Sequence, residues 1–290
     1  MPDPFPSGAG PVYGRGMIRL SKPLAATAAA AALALSACSA LQPVMGALHV
    51  GPAAAPVDAS LAGPSPTKLT GYLSAQDLDG KALLGPPPAP DSLRGQADRD
   101  AYLQSRALQG SPRWAQAIRD NDIWAGGALE RYSCATGVEI GAKTTPAVWK
   151  LLHRIELDVR TVGTPAKDFY NRSRPMIGDE RPICIPREGW MKTNASYPSG
   201  HAMVGWSWAL VLSEIRPANA DALLAAGKAI GDSRWICGVH YQSDVEAGRT
   251  LGAAMVARLH AEPQFQTDFA QAKAELAKAP KATGLSCPAA

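Results

Sequence analysis

Apolar residues recur at three- and four-residue intervals along much of this chain. Between positions 148 and 162 they fall at Val148, Leu151, Leu152, Ile155 and Val159, the stripe of an amphipathic helix. The same periodicity predicts helices over 200–215, 219–235, 240–261 and 264–279, and a helical pattern from about Asp98. Ser111-Pro112 supplies an N-cap and a residue suited to the first helical position, so another helix should run to about Asp120. Convincing two-residue alternation is absent. The pattern predicts an all-α fold, a single helical-bundle domain without internal repeats.

Other stretches refuse that periodicity. Leu83-Leu84-Gly85-Pro86-Pro87-Pro88-Ala89-Pro90 is expected to be extended, because consecutive prolines forbid a helix. Residues 38–70, rich in Ala, Pro, Gly and Ser, read as a flexible tether. Ahead of them Arg19 and Lys22 precede the apolar run Leu24–Leu35, a length that suits an export signal better than a membrane span. Leu35-Ser36-Ala37-Cys38 resembles a bacterial lipobox, in which cleavage before Cys38 exposes a cysteine for lipidation. Ordinary secretion, with cleavage near Ala40, is the competing reading, and Met17 is an alternative start. The expected organisation is a signal peptide over 1–37, the tether over 38–70 and one domain over 71–285.

Export changes the charge and cysteine arithmetic. The chain carries 29 basic and 25 acidic residues, and removing 1–37 takes away Arg15, Arg19, Lys22 and Asp3. The remainder, 26 against 24, lacks the basic surplus of a nucleic-acid binder. The stretches Ala202–Leu212 and Leu251–Leu259 are too short or interrupted for membrane spans. Of five cysteines, Cys38 belongs to the lipobox, which leaves Cys134, Cys184, Cys237 and Cys287. An even number in an exported chain points to two disulfides with three connectivities open; a metal site is disfavoured because no two cysteines have CxxC spacing.

Three short blocks carry the chemistry, each weak alone. In the first, Lys167 and Arg174 stand seven apart before Pro175, so a continuous helix would bring both cations to one face, where they can hold a dianion. Asp168 and Arg172 between them are expected on the solvated side. In the second, Tyr197-Pro198-Ser199-Gly200-His201 precedes an apolar run, and a helix start there offers free N–H groups and a hydroxyl to a phosphate. In the third, Ser233-Arg234 is followed by His240 and Asp244, four apart and hence one helical turn apart. Asp244 could then hold one imidazole nitrogen and present the other as a nucleophile.

Read in order, the blocks spell K-x6-R-P, P-S-G-H and S-R-x5-H-x3-D. The chain thereby resembles the type 2 phosphatidic-acid-phosphatase (PAP2) superfamily, which includes the vanadium haloperoxidases, and within it the bacterial class A non-specific acid phosphatases. Tyr72–Leu78, the Leu83–Pro88 proline run, Gly205-Trp206 and Gly231–Asp244 extend the resemblance over about residues 70–262, with Gly85 a departure where the family would continue with Pro. The resemblance implies a helical bundle and metal-independent hydrolysis of phosphate monoesters, with no cofactor. It assigns His240 as nucleophile forming a phosphohistidine, Asp244 as its orienting partner, and His201 as general acid and base. Lys167, Arg174, Ser199, Gly200 and Arg234 would bind the phosphate oxygens. A bell-shaped, acidic pH profile follows from a neutral His240 and a protonated His201.

The expected partners are small phosphate esters such as nucleotides and sugar or aryl phosphates, with no nucleic acid. The expected assembly is a homo-oligomer in the periplasm, anchored to the outer membrane if Cys38 is lipidated. His153 and His260 read as structural or solvated, and His49 falls in the tether. Trp206, Trp208 and Trp235 suit either core packing or a pocket mouth. The rival functions are a vanadate-dependent haloperoxidase and a non-catalytic surface lipoprotein that binds phosphorylated ligands. An integral lipid phosphatase would need spans that this sequence lacks.

Overall fold

The computed structural model describes residues 69–124, 127–285 and 287. The signal peptide, the tether, Cys38 and His49 lie outside the described residues. Among those described the chain is helical and no strand occurs. The helices are α1 (Gly80–Leu84), α2 (Leu93–Ser105), α3 (Pro112–Arg119), α4 (Ala128–Thr136), α5 (Pro146–Tyr170), α6 (Gly200–Ile215), α7 (Ala220–Cys237), α8 (Gln242–Leu259) and α9 (Pro263–Lys278).

The bundle is built around α6. Its apolar residues occur on every side, which suits a helix enclosed by others, and α5, α7, α8 and α9 all pack on it. Met203, Val204, Trp208, Val211 and Leu212 are buried along it. Small residues set how closely the neighbours approach. A Cβ at Gly248 of α8 would lie 2.5 Å from the Ser199 carbonyl oxygen, so only glycine lets α8 meet the start of α6. Trp208 belongs to the core, where its indole N–H donates to Leu152 O at 2.8 Å and its ring meets Trp124 edge-on. Trp206 and Trp235 are half-buried.

Local chemistry accounts for most helix ends. Ser92, Ser111 and Ser199 cap α2, α3 and α6 through their hydroxyls. The first turn of α5 is capped from afar: Glu275 of α9 accepts from the N–H groups of Ala147 (3.1 Å) and Val148 (2.9 Å). Pro165 sits within α5 on its exposed side, and the helix continues to Tyr170. Leu83 and Leu84 close α1 instead of extending the proline arm. The arm begins at Gly85, whose φ of 66° ends the helix before Pro86.

Two disulfides fix the connectivity that the sequence left open. Cys134–Cys287 ties α4 to the chain end, and Cys184–Cys237 ties the loop before α6 to the last residue of α7. His153 is buried between Trp124 and Trp149, and His260 meets Glu214 and Gln266, so both keep structural roles. No helix among the described residues is long and apolar enough to cross a membrane.

Candidate active site

Lys167 lies in the last turn of α5, which stops because Asn171 adopts a left-handed conformation at φ 41°. Arg174 is therefore not on the helix, contrary to the seven-residue spacing argument, and the two cations do not share a helical face. They converge by another route. Lys167 donates from Nζ to Ala195 O at 2.7 Å, while Arg174 donates from Nε to Asn194 O at 2.9 Å and from Nη2 to Asn194 Oδ1 at 2.7 Å. Both side chains are buried.

His240 departs from expectation in the same way. Gly238 ends α7 at φ 89°, and a Cβ there would stand 2.3 Å from a guanidinium nitrogen of Arg106. That guanidinium donates to the Pro182, Ile236 and Cys237 carbonyls, closing the carboxyl end of α7 with a cation. Helix α8 then starts at Gln242, with Tyr241 as its N-cap. His240 thus precedes the helix, and the four-residue spacing to Asp244 is the geometry of a helix start, not of one helical face. Asp244 Oδ2 accepts from the Tyr241 N–H at 2.7 Å and from Ser196 Oγ at 2.6 Å, and stands 3.5 Å from His240 Nδ1.

These contacts determine the state of the imidazole. His240 Nδ1 is 2.8 Å from Ser196 O, and a carbonyl oxygen only accepts, so Nδ1 carries a proton. Nε2 stands 3.2 Å from Arg174 Nη1, and a guanidinium only donates, so Nε2 presents its lone pair. Arg174 Nη1 also donates to Val239 O at 3.0 Å. These contacts suit the neutral Nδ1–H tautomer, with Nε2 facing a cation.

The carbonyls of three successive residues organise this half of the site. Asn194 O takes Arg174, Ala195 O takes Lys167 and Ser196 O takes His240. Just beyond them Ser199 caps α6, with its own N–H on Asp244 O at 2.9 Å, and Gly200 and His201 form the first turn. The helix start expected at Ser199–His201 is present, and its Ser199 N–H bond to Asp244 O brings it close to His240.

Asn121 organises the other half. Its Oδ1 accepts from Arg234 Nη1 at 2.7 Å, and its carbonyl accepts from His201 Nε2 at 3.0 Å. Arg234 and His201 are both fully buried. The structure thus links all eight residues singled out by the sequence. Asn121, Asn194 and Ser196, which hold them, had no motif to announce them.

Arg172 requires a correction. It is not solvated: it donates to Asp244 Oδ1 at 2.6 Å, Asp98 Oδ2 at 2.9 Å and Ser243 Oγ at 2.7 Å, with its guanidinium 4.1 Å from the centre of the Tyr241 ring. Burial would lower its pKa, but the two carboxylates more than reverse that and hold it charged. Asp168 is exposed, as expected. No cluster of His, Cys, Asp or Glu among the described residues has the makings of a metal site.

The profile of the PAP2 superfamily matches residues 156–267, which include Lys167 through Asp244. The chain is 41% identical over 210 residues to the non-specific acid phosphatase of Providencia stuartii, covering 72% of this chain and 85% of that one. Against the non-specific acid phosphatase of Salmonella typhimurium it is 39% identical over 207 residues, 69% of this chain and 81% of that one. Similarity to the acid phosphatase of Zymomonas mobilis is 38% over 199 residues, 68% of this chain and 75% of the relative.

Proposed function

Because the chain belongs to the PAP2 superfamily, among its non-specific acid phosphatases, we propose that it hydrolyses a broad range of phosphate monoesters without metal, through a phosphohistidine on His240. The observation that carries this reading is the imbalance of the His240 environment. An acceptor on Nδ1 and a donor-only cation at Nε2 select the neutral ring whose lone pair points at the guanidinium that would hold the phosphate.

In the proposed reaction Nε2 attacks phosphorus and the bond from phosphorus to the ester oxygen breaks. The departing alkoxide takes its proton from His201, and Asp244 stabilises the positive charge that develops on the His240 ring. His201 then accepts a proton from water as that water attacks phosphorus, the P–N bond breaks, and inorganic phosphate leaves. Lys167, Arg174 and Arg234, with Ser199 and the Gly200 N–H, would hold the equatorial oxygens. Phosphoryl transfer asks mainly for positioning and charge stabilisation, which three fixed cations and a helix start can supply. A neutral His240 and a protonated His201 give a bell-shaped, acidic profile.

The test is a panel of phosphate esters assayed with chelator present, combined with rapid acid-free quenching on labelled substrate. The expected result is hydrolysis that survives chelation and an acid-labile phosphoenzyme that is absent in His240→Ala. Loss of all activity in chelator, or a phosphoenzyme persisting in His240→Ala, overturns the mechanism. Vanadate should inhibit; halide oxidation on its addition would indicate a haloperoxidase. The proposal extends to location: export behind residues 1–37 and lipid on Cys38, a compartment in which two disulfides suit the chain. Incorporation of labelled palmitate, lost in Cys38→Ala, is the expected outcome.

A further inference from the structure

We infer that Arg172, held in place by Asp98, sets the charge that Asp244 presents to His240, and is thus a positioning residue for phosphoryl transfer. The inference rests on the nucleophile reading of His240.

Asp244 is fully buried at the start of α8, and its two oxygens are used differently. Oδ2 faces the imidazole, steadied by the Tyr241 N–H and the Ser196 hydroxyl. Oδ1 faces away and is met by Arg172 Nη1 at 2.6 Å. The other guanidinium nitrogen of Arg172 is fixed to Asp98 of α2, whose carboxylate also receives the N–H of Ser243 at 2.9 Å and the Ser243 hydroxyl. Arg172 therefore cannot swing away from Asp244 without abandoning a second buried carboxylate.

The consequence concerns which protonation state His240 occupies. A lone buried carboxylate beside an imidazole favours the imidazolium, which has no lone pair with which to attack. A cation on the far oxygen offsets that charge. Asp244 can still accept from the ring as charge develops in the reaction, yet it does not protonate His240 beforehand. Ser196 O, a neutral acceptor at 2.8 Å, is nearer to Nδ1 in this resting arrangement than Asp244 Oδ2 at 3.5 Å, which agrees with that division of labour.

The charged and titratable groups around the pair come from several elements. Asp98 faces it from α2, Arg172 and Arg174 from the segment after α5, Tyr197 from the loop before α6, and Tyr241 from the start of α8. Of these, Arg172 is the one whose side chain is bonded to Asp244, and Arg174 faces the opposite ring nitrogen.

The experiment is kcat/KM against pH with a simple aryl phosphate for wild type, Arg172→Gln, Arg172→Lys, Asp98→Asn and His240→Ala, each checked for folding by circular dichroism. In Arg172→Gln the acid limb, which reports formation of neutral His240, should move about one pH unit upward, while the alkaline limb stays. Arg172→Lys keeps the cation and should reverse most of that movement. Asp98→Asn keeps an oxygen to hold Arg172 while removing a competing anion, and should move the acid limb downward.

A uniform loss of activity in Arg172→Gln with the acid limb unmoved would show a merely structural residue and overturn the inference. If Arg172→Gln fails to fold, Asp98→Asn decides: an acid limb at or above the wild-type position overturns it, and a downward movement upholds it. His240→Ala separates this inference from the one beneath it. Hydrolysis retained there refutes the nucleophile assignment, whereas an inactive His240→Ala beside an unmoved Arg172→Gln limb refutes the role of Arg172 alone.

Discussion

Asp158 of α5 offers a quantitative test of how burial governs stability. Its side chain is fully buried, and Oδ1 accepts from the N–H groups of Tyr72 at 2.7 Å and Leu73 at 2.8 Å, pinning the segment before α1 to the bundle. Burial pushes its pKa up to about 7 from 3.8, against the pull of those two N–H groups and of Arg154. Between these values the folded chain holds a proton that the unfolded chain has released. The stability associated with that proton is fully present below the unfolded value and lost as pH rises through about 7. At 1.36 kcal/mol per pKa unit the swing amounts to about 4 kcal/mol. Asp158→Asn keeps an oxygen for both backbone donors and removes the ionisation. Thermal unfolding of the two proteins from pH 4 to pH 8 should give a difference that grows with pH in favour of the variant. At about 2–4 °C per kcal/mol for a domain of this size, that difference reaches roughly ten degrees. A difference that does not change over this range would refute the reasoning.

Three further outcomes follow from the site's supports. Gly238→Ala combines a φ of 89° with a Cβ 2.3 Å from Arg106, so it should cost about 1–3 kcal/mol in thermal unfolding, with only partial recovery when Arg106→Ala removes the clash and leaves the strained φ. Asn121→Ala withdraws the side-chain acceptor of a buried guanidinium, and kcat/KM for a small ester should fall about tenfold or more, read from steady-state kinetics at the optimal pH. Replacing Cys184 and Cys237 together by Ser frees a 53-residue separation, worth about 4 kcal/mol in the loop-entropy account. Because that bridge anchors the end of α7 just before His240, denaturant unfolding and kcat/KM should both decline; unchanged kinetics would show that Arg106 alone holds the turn.

How much of this was legible in the sequence depends on the range of the interaction concerned. The Ser199 cap of α6 and Pro263 at the start of α9 are local signals, and the sequence places the limits of α6 through α9 within about two residues of the structure. Helix α4 gives little local signal, being nine residues long with Gly127 as an N-cap that offers no side chain. Residues named from their spacing are linked in the structure by a route other than a shared helical face. Lys167 with Arg174, and His240 with Asp244, were placed on common helical faces, yet Asn171 and the Tyr241 cap end or begin a helix between the members of each pair. Arg172 was misjudged by the same assumption, since its carboxylates lie 74 and 72 residues away.

What holds the site was illegible for a deeper reason. The Asn194, Ala195 and Ser196 carbonyls place Arg174, Lys167 and the His240 imidazole, and the Asn121 carbonyl places His201. Every residue has a carbonyl, so no residue type marks these positions. A motif records the side chains that chemistry requires. The backbone acceptors that fix their tautomers and directions are specified only by the path of the chain, which here depends on the left-handed turns at Asn171 and Gly238, the close approach of α8 to α6 at Gly248, and the disulfide that ties the loop before α6 to α7. Substitutions at those turning points should therefore act on His240 and the cations together.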